Sequence, residues 1–248
     1  MRVLFGLLLI FIFSDIAYAQ EAQLSDLLPE GDGSFSGRII QGLVLLTVLS
    51  IAPGLLITTT CFTRFIIAFS FLRSGLGLQS TPSNLIIISL ALFMTYFVMA
   101  PVFEESWKNG VKPLLDNEIS EELAFERATE PLKRFMLQHI REKDIGLFEE
   151  FIEYGPATEG ASEEQAEELE LRLIVPAFLL SEIRRGFEIG FLILLPFLVI
   201  DLVVSTVTMA MGMMMLPPTV VSLPFKILFF ILIDGWHLIV GELLKSVS

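Results

Sequence analysis

Two aspartates stand in otherwise apolar surroundings, Asp201 in FLVIDLVV and Asp234 in LIDGWHLI, and acids so placed can share a proton as an aspartyl dyad or pass one along a relay. Neither has a glycine-rich active-site turn beside it, which weakens the dyad. His139 and His237 lie far apart in the chain with no Cys or Glu at ligand spacing, so no metal site is expected. There is no G-x-S-x-G, no phosphate-binding loop and no dinucleotide fingerprint. The residues offer catalysis no foothold, and no cofactor is called for.

Charge inside the apolar runs is nonetheless abundant. Arg64, Asp201, Lys226, Asp234, His237 and Glu242 lie within them, with Glu182, Arg184, Arg185 and Glu188 at an edge. Each charge at mid-bilayer costs about 2.5–3.5 kcal/mol, and a span of Leu and Ile at about −0.5 kcal/mol each can carry one but not several. These helices are therefore expected to face protein, which makes Arg64, Glu182, Arg184, Glu188, Asp201, Lys226 and Asp234 candidate polar contacts between subunits. The alternative is a small-solute or proton-coupled membrane transporter that uses the intramembrane Asp and Glu, although the apolar hairpins show no clear mutual similarity and four spans are few for one.

The elements that hold these residues belong to a membrane-class chain. Of 248 residues 54% are hydrophobic and 18% charged, and the mean hydropathy is +0.72. Net charge is −13, and the stretch from Glu104 to Arg172 alone holds 19 acidic against 8 basic residues. No basic stripe exists to displace counterions from phosphates, which excludes nucleic acid as a partner. The single cysteine, Cys61, allows no intrachain disulfide and reads as a small buried hydrophobe.

Residues 1–19 read as a signal peptide: Arg2, the apolar run Val3 to Phe13, and Ala17-Tyr18-Ala19 ahead of Gln20. Residues 20–37 read as a flexible extracytoplasmic arm. Residues 38–103 form a first apolar helical hairpin, whose opening run to Leu72 would be about 50 Å long as a straight helix, beyond the ~30 Å hydrocarbon core. It must be broken, tilted or partly out of lipid. The turn Arg73 to Asn84 offers Ser83 as an N-cap for a second span, Asn84 to Phe103.

Residues 104–172 read as an acidic helical periplasmic insertion. Ser120 is expected to cap its first helix, Pro131 to open a second with Leu132, Phe135, Met136, His139 and Ile140 on one face, Asp144 to cap a third, and Ser162 to start a capping box. Residues 173–248 form a second apolar hairpin, in which Pro176, Pro196, Pro217, Pro218 and Pro224 are expected to break or kink every segment. Gly186 and Gly190, spaced as G-x-x-x-G, allow a close helix approach. The fold class is therefore all-α: membrane-associated helical hairpins with kinked helices and a small helical extracytoplasmic insertion. An even number of spans places both chain ends on the outer side.

Between the last two apolar runs lies MGMMMLPP, with Gly212 and the pair Pro217-Pro218 framing Met213, Met214 and Met215. Methionine adapts to changing neighbours where Leu would fix one packing. Gap filling is the plainer use of such a run, but this one lies at a hairpin turn, where core packing is least expected. Repeated around a ring, such loops would form a deformable apolar collar across a pore, closed to water and ions and able to yield to a polypeptide.

At these residues the chain resembles the FliP/SctR family of flagellar and injectisome export-gate proteins. The resemblance is carried by FTRFIIAFSFLRSGLG (Phe62 to Gly77), TPSNLIIISLALFMTYFVMAPVF (Thr81 to Phe103), PAFLLSEIRRGFEIGFLILLPFLVIDLVV (Pro176 to Val204) and MGMMMLPPTVVSLPFKILFFILIDGWHLIVGELLKS (Met211 to Ser246). It implies a homo-oligomer, a pentamer, wound with FliQ and FliR and set among other export-apparatus membrane proteins in the flagellar basal body. It implies a multi-pass protein of the bacterial inner membrane through which unfolded flagellar proteins leave the cytoplasm. It also gives Met213, Met214 and Met215 the role of pore gasket, and assigns no ion-pair partners to Arg64, Asp201, Lys226 or Asp234.

Overall fold

The structure is a computed structural model that describes residues 35–78, 80–153, 163–212 and 217–247, and every regular element among them is helical. The expected signal peptide and almost all of the arm, the loop 154–162 with Ser162, and the three loop methionines lie outside the described residues. The chain divides into two units, Met1–Ala52 and Pro53–Ser248. Helix α1, Phe35–Thr59, supplies the described part of the first, where Leu43, Leu46 and Ile51 are exposed.

In the second unit the long apolar run is broken, as its length required. The axis turns by 84° between Pro53–Thr59 and α2, Phe62–Leu76. Such a break frees backbone groups that lipid cannot satisfy, and threonines take them up. The Thr60 hydroxyl donates to Leu56 O, Thr63 Oγ1 donates to Ile57 O at 2.8 Å, and the Phe62 amide donates to Thr60 Oγ1 at 3.4 Å. Cys61, fully buried at the corner, is the small apolar filler its setting suggested. Helix α2 ends at Gly77, whose φ of +74° is the left-handed C-terminal stop that glycine adopts without strain.

Helix α3, Asn84–Ser106, follows. Ser83 sits at its N-cap position with an extended backbone, but its hydroxyl makes no capping bond, contrary to the expectation from sequence. At its far end α3 widens into a π-turn, Trp107–Val111, and then a short α4, Lys112–Leu115. Gly110 in the π-turn lies against α5, Glu121–His139: a side chain there would stand 2.7 Å from Ala128 N and 2.8 Å from Ala124 O. Ser120 does cap α5, accepting from the Leu123 amide at 3.4 Å.

Pro131 does not open a second helix. It lies inside α5, its ring buried on the same stripe as Ala124, Phe135 and Met136, and that continuous apolar face holds one helix together where the local signal suggested two. Helix α6, Glu142–Glu153, starts before Asp144. The Asp144 carboxylate is drawn sideways to Arg141 and Ser181 instead of capping its own helix.

Helix α7 runs unbroken for 48 residues, Glu163–Ala210, through both Pro176 and Pro196. Each proline removes one backbone bond, and the helix continues past both; beside Pro196, Leu194 and Phe197 pack at Gly75 of α2. The acidic insertion and the second apolar hairpin therefore share one helix. Helices α8, Pro218–Leu232, and α9, Gly235–Lys245, meet at a 65° bend.

Contacts fix the helix directions. Arg64, Ile67, Phe71 and Gly75 of α2 meet Glu182, Gly186, Gly190 and Phe197 of α7 in that order, so the two run parallel. Helix α8 runs back along α7, with Lys226 beside Asp201 and Phe229 beside Phe197. Helix α9 runs back along α2, from Trp236 near Phe69 to Ser246 at Arg64. An aromatic chain, Phe197–Phe230–Trp236–Phe69, joins all four, with Phe65, Leu72, Phe178 and Leu243 buried around it.

The outer faces are strongly apolar. Phe93 and Phe97 of α3 are 78% and 70% exposed, and Leu192 and Leu202 of α7 are 64% and 65% exposed. Among the described residues two helices are long and apolar enough to cross a membrane, Asn84–Leu115 and Leu171–Ala210, or up to four if each bent pair is one span. At 1.5 Å per residue, the 40 residues of the second reach about 60 Å, roughly twice the hydrocarbon core.

Candidate functional site

The charges that looked out of place in the sequence bracket α2 at both ends. At its start Arg64 and Glu182 are each 0% exposed, with Arg64 Nε donating to Glu182 Oε2 at 2.9 Å and Nη2 donating to Oε1. The third edge of the guanidinium is used as well: Nη1 donates to Ser246 O and to Ser246 Oγ at 3.2 Å. A planar five-donor fork suits a buried carboxylate and a carbonyl at once, which a lysine could not match. Helices α2 and α7 and the end of α9 are thereby tied at one point.

At the other end of α2, Lys226 from α8 donates to Asp201 Oδ2 at 2.6 Å and to the Gly75 carbonyl at 2.9 Å. That carbonyl belongs to the last turn of α2, where a cation also meets the negative end of the helix dipole. Ser222 Oγ donates to Asp201 Oδ1 at 2.6 Å, so both carboxylate oxygens have partners. Asp201 and Lys226 thus engage one another inside the chain, as Arg64 and Glu182 do. The two brackets are separated by 11 residues of helix, about 16 Å.

Between the brackets glycine sets the spacing. A side chain at Gly190 would stand 2.5 Å from Phe71 Cδ2 and 3.0 Å from Phe71 Cβ, and one at Gly186 would stand 3.0 Å from Ile67 Cβ and 3.3 Å from Arg64 Cα. The G-x-x-x-G pair therefore seats α2. Arg184 and Glu188 lie on an exposed face of α7 and pair with each other at 2.8 Å. Asp234, at the bend between α8 and α9, is exposed and makes no capping bond.

The methionine loop is framed as its residues suggest. Helix α7 closes with Gly212 N–H donating to Met209 O at 3.0 Å and Gly212 at φ +74°, and α8 begins with Pro217 as N-cap and Pro218 as first helical residue. Met213, Met214 and Met215 themselves lie outside the described residues. Beside the loop an open apolar groove of about 640 Å³ lies between α7 and α8, lined by Val203, Val207, Met211, Val221 and Phe225.

The insertion is fastened to α7 and to the ends of α3 and α9 by a seam of polar contacts. Asp144 Oδ2 accepts from Ser181 Oγ of α7 at 2.6 Å, and the Arg141 guanidinium holds both carboxylate oxygens at 2.7 Å. Burial alone would push this carboxyl up, but the Ser181 hydroxyl and the Arg141 guanidinium outweigh it and hold it below its ordinary value. His139 of α5 lies across Phe135, with Nε2 3.0 Å from Val247 O. Arg134, held protonated more firmly by the Glu105 carboxylate, ties α5 to the end of α3. The i,i+3 spacing of Arg141 and Asp144 is a signal the sequence carries, whereas the partners Ser181, Val247 and Glu105 lie too far along the chain for any spacing to flag.

What the fold defines is an all-helical membrane-associated chain whose internal ion pairs, Arg64–Glu182 and Lys226–Asp201, hold its own helices and whose outer faces are largely hydrocarbon. Its relatives give the class a family. The FliP family model matches residues 45–243. The chain is 58% identical over 233 residues to the flagellar biosynthetic protein FliP of Rhizobium meliloti (strain 1021), covering 94% of each chain. It is 52% identical over 204 residues to that of Bacillus subtilis (strain 168), covering 82% of this chain and 90% of the relative. Over 219 residues it is 44% identical to that of Pectobacterium carotovorum subsp. carotovorum. The chain belongs to the FliP family, and is a membrane-associated component of flagellar biosynthesis.

Proposed function

We propose that several copies of this chain, five in the family picture, assemble with FliQ and FliR in the inner membrane as the core of the flagellar export gate. Unfolded flagellar proteins would pass through the centre, and Met213, Met214 and Met215 would close it as a gasket between passages. The observation that carries the reading is the pairing of a family match over residues 45–243 with outer helix faces such as Phe93, Phe97, Leu192 and Leu202 left bare by a single chain. Bare apolar faces of this extent mark contact with lipid or with other chains.

The arrangement of charge supports an assembly. A proton relay needs more than one available acid in the apolar segments, whereas Glu182 and Asp201 are held by Arg64 and Lys226 and only Asp234 is left without a partner for its carboxylate among the described residues. In this reading the chain is a conduit without chemistry of its own, driven by other export components. The test is the native mass of the complex purified in mild detergent after co-expression with FliQ and FliR. An assembly holding several copies of this chain with both partners is the expected result; a monomer or dimer without partners refutes the reading.

A further inference from the structure

The apolar segments, residues 53–103 and 173–247, contain five carboxylates, and four are met within the chain: Glu182 by Arg64, Glu188 by Arg184, Asp201 by Lys226 and Glu242 by Lys245. The fifth is Asp234, whose backbone is bonded to Ile231 and Leu238 but whose carboxylate has no hydrogen bond or ion pair among the described residues. Its setting is built rather than loose. It holds φ +51°, a left-handed conformation unusual outside glycine, at the point where α8 turns 65° into α9. The next residue is closely packed, since a side chain at Gly235 would stand 2.2 Å from Phe230 Cε2, so the backbone of the elbow is held against α8. Around it Ile231, Leu232, Trp236 and Leu238 are exposed.

The other corner in an apolar run, at Thr60 and Cys61, is buried and its polar atoms are satisfied internally. The elbow at Asp234 is its open counterpart, an acid ringed by hydrocarbon surface. Such an acid needs a cation from outside the chain.

Among the permanently charged bases, the arginines and lysines of the same segments, one candidate is left. Arg64, Arg184, Lys226 and Lys245 have their carboxylates, and Arg73 donates to Asn84 Oδ1. Arg185, on α7, is half-buried, and its Nε is enclosed with no acceptor. One carboxylate without a partner and one guanidinium without a hydrogen-bonded acceptor, on different elements, give a surface that is complementary to a second copy of itself. On the multi-copy reading above, we propose that the elbow of one copy docks on α7 of the next, with Asp234 accepting from the neighbour's Arg185. Two different patches meeting make a head-to-tail contact, the kind that builds rings and helical assemblies.

Charge exchange tests the pair in the complex co-expressed with FliQ and FliR, read as the amount of full-size assembly at native mass. Asp234→Arg and Arg185→Asp alone are each expected to lower it by about tenfold or more, since like charges then face one another, and the double exchange is expected to restore it. Independently, Asp234→Cys with Arg185→Cys in a Cys61→Ala background is expected to give interchain disulfides and a ladder of multimers on oxidation. A full-size assembly unmoved by either single exchange, or two damaging exchanges without rescue and no disulfide ladder, overturns the pair. A wild-type chain that stays monomeric beside FliQ and FliR refutes the multi-copy reading itself, so the two failures are told apart.

Discussion

Arg64 and Glu182 stand 118 positions apart in the chain and meet side-on in its interior, Nε to Oε2 at 2.9 Å, with neither side chain exposed. Removing one partner of such a pair leaves an uncompensated buried charge, which costs about 3–5 kcal/mol, whereas replacing both by apolar groups of similar volume is often neutral. Arg64→Ala is therefore expected to lower the thermal unfolding midpoint of the detergent-solubilised protein sharply, and Arg64→Met with Glu182→Leu to recover most of the loss. A double variant as damaged as the single one would assign the cost to the Ser246 contacts instead.

Gly190 meets Phe71 where α2 and α7 cross. A methyl group there must displace a ring whose Cβ is itself only 3.0 Å away, and overpacking of this kind costs about 1–3 kcal/mol. Gly190→Ala is expected to destabilise the chain, while Gly42→Ala, at a helical position with nothing within 4 Å, is expected to leave stability unchanged or slightly raised. Thermal unfolding of the two variants side by side gives the comparison.

Asp144 gives the seam between insertion and α7 an acid limit. Its carboxyl is held below the ordinary value, so the stabilisation is complete above the unfolded carboxylate pKa of about 3.9 and fades as pH falls through the lower folded value. Asp144→Asn is expected to weaken the protein at neutral pH and to flatten the acid arm of its stability profile. Unfolding midpoints from pH 7 down to strongly acidic buffer check it; an unchanged acid arm would show that the seam does not depend on this carboxylate.

Replacing Met213, Met214 and Met215 together with Ala is expected to leave the assembly at full size but to make membranes containing it leaky to small ions. Conductance across planar bilayers measures this, and normal conductance with normal export would remove the gasket.

Much of the architecture was legible because membrane solvent imposes strict rules. The run from Arg38 to Leu72 was too long for one straight span and is bent by 84°; Gly186 and Gly190 announced a close helix approach and have one in Ile67 and Phe71. What stayed hidden was decided by distant partners. Pro131 carries a local start signal, but its ring packs on the stripe of Ala124, Phe135 and Met136 and one helix results. Pro176 and Pro196 likewise lie inside α7, Pro196 where Leu194 and Phe197 meet Gly75 of α2. The charged residues were recognised as expensive, and their excess read as helices facing protein. That Arg64 takes Glu182 and Lys226 takes Asp201 depends on helix register, which no spacing in the sequence encodes.

On the proposed function, polypeptide passes this chain at its methionine loop. The direct measurement is photo-crosslinking from a light-activated residue placed at Met214 in cells whose export is stalled on a flagellar substrate fused to a tightly folded plug. An adduct between this chain and the unfolded part of the stalled substrate is the predicted result. Crosslinks only to FliQ, FliR or neighbouring copies, while the substrate demonstrably occupies the export apparatus, would contradict it.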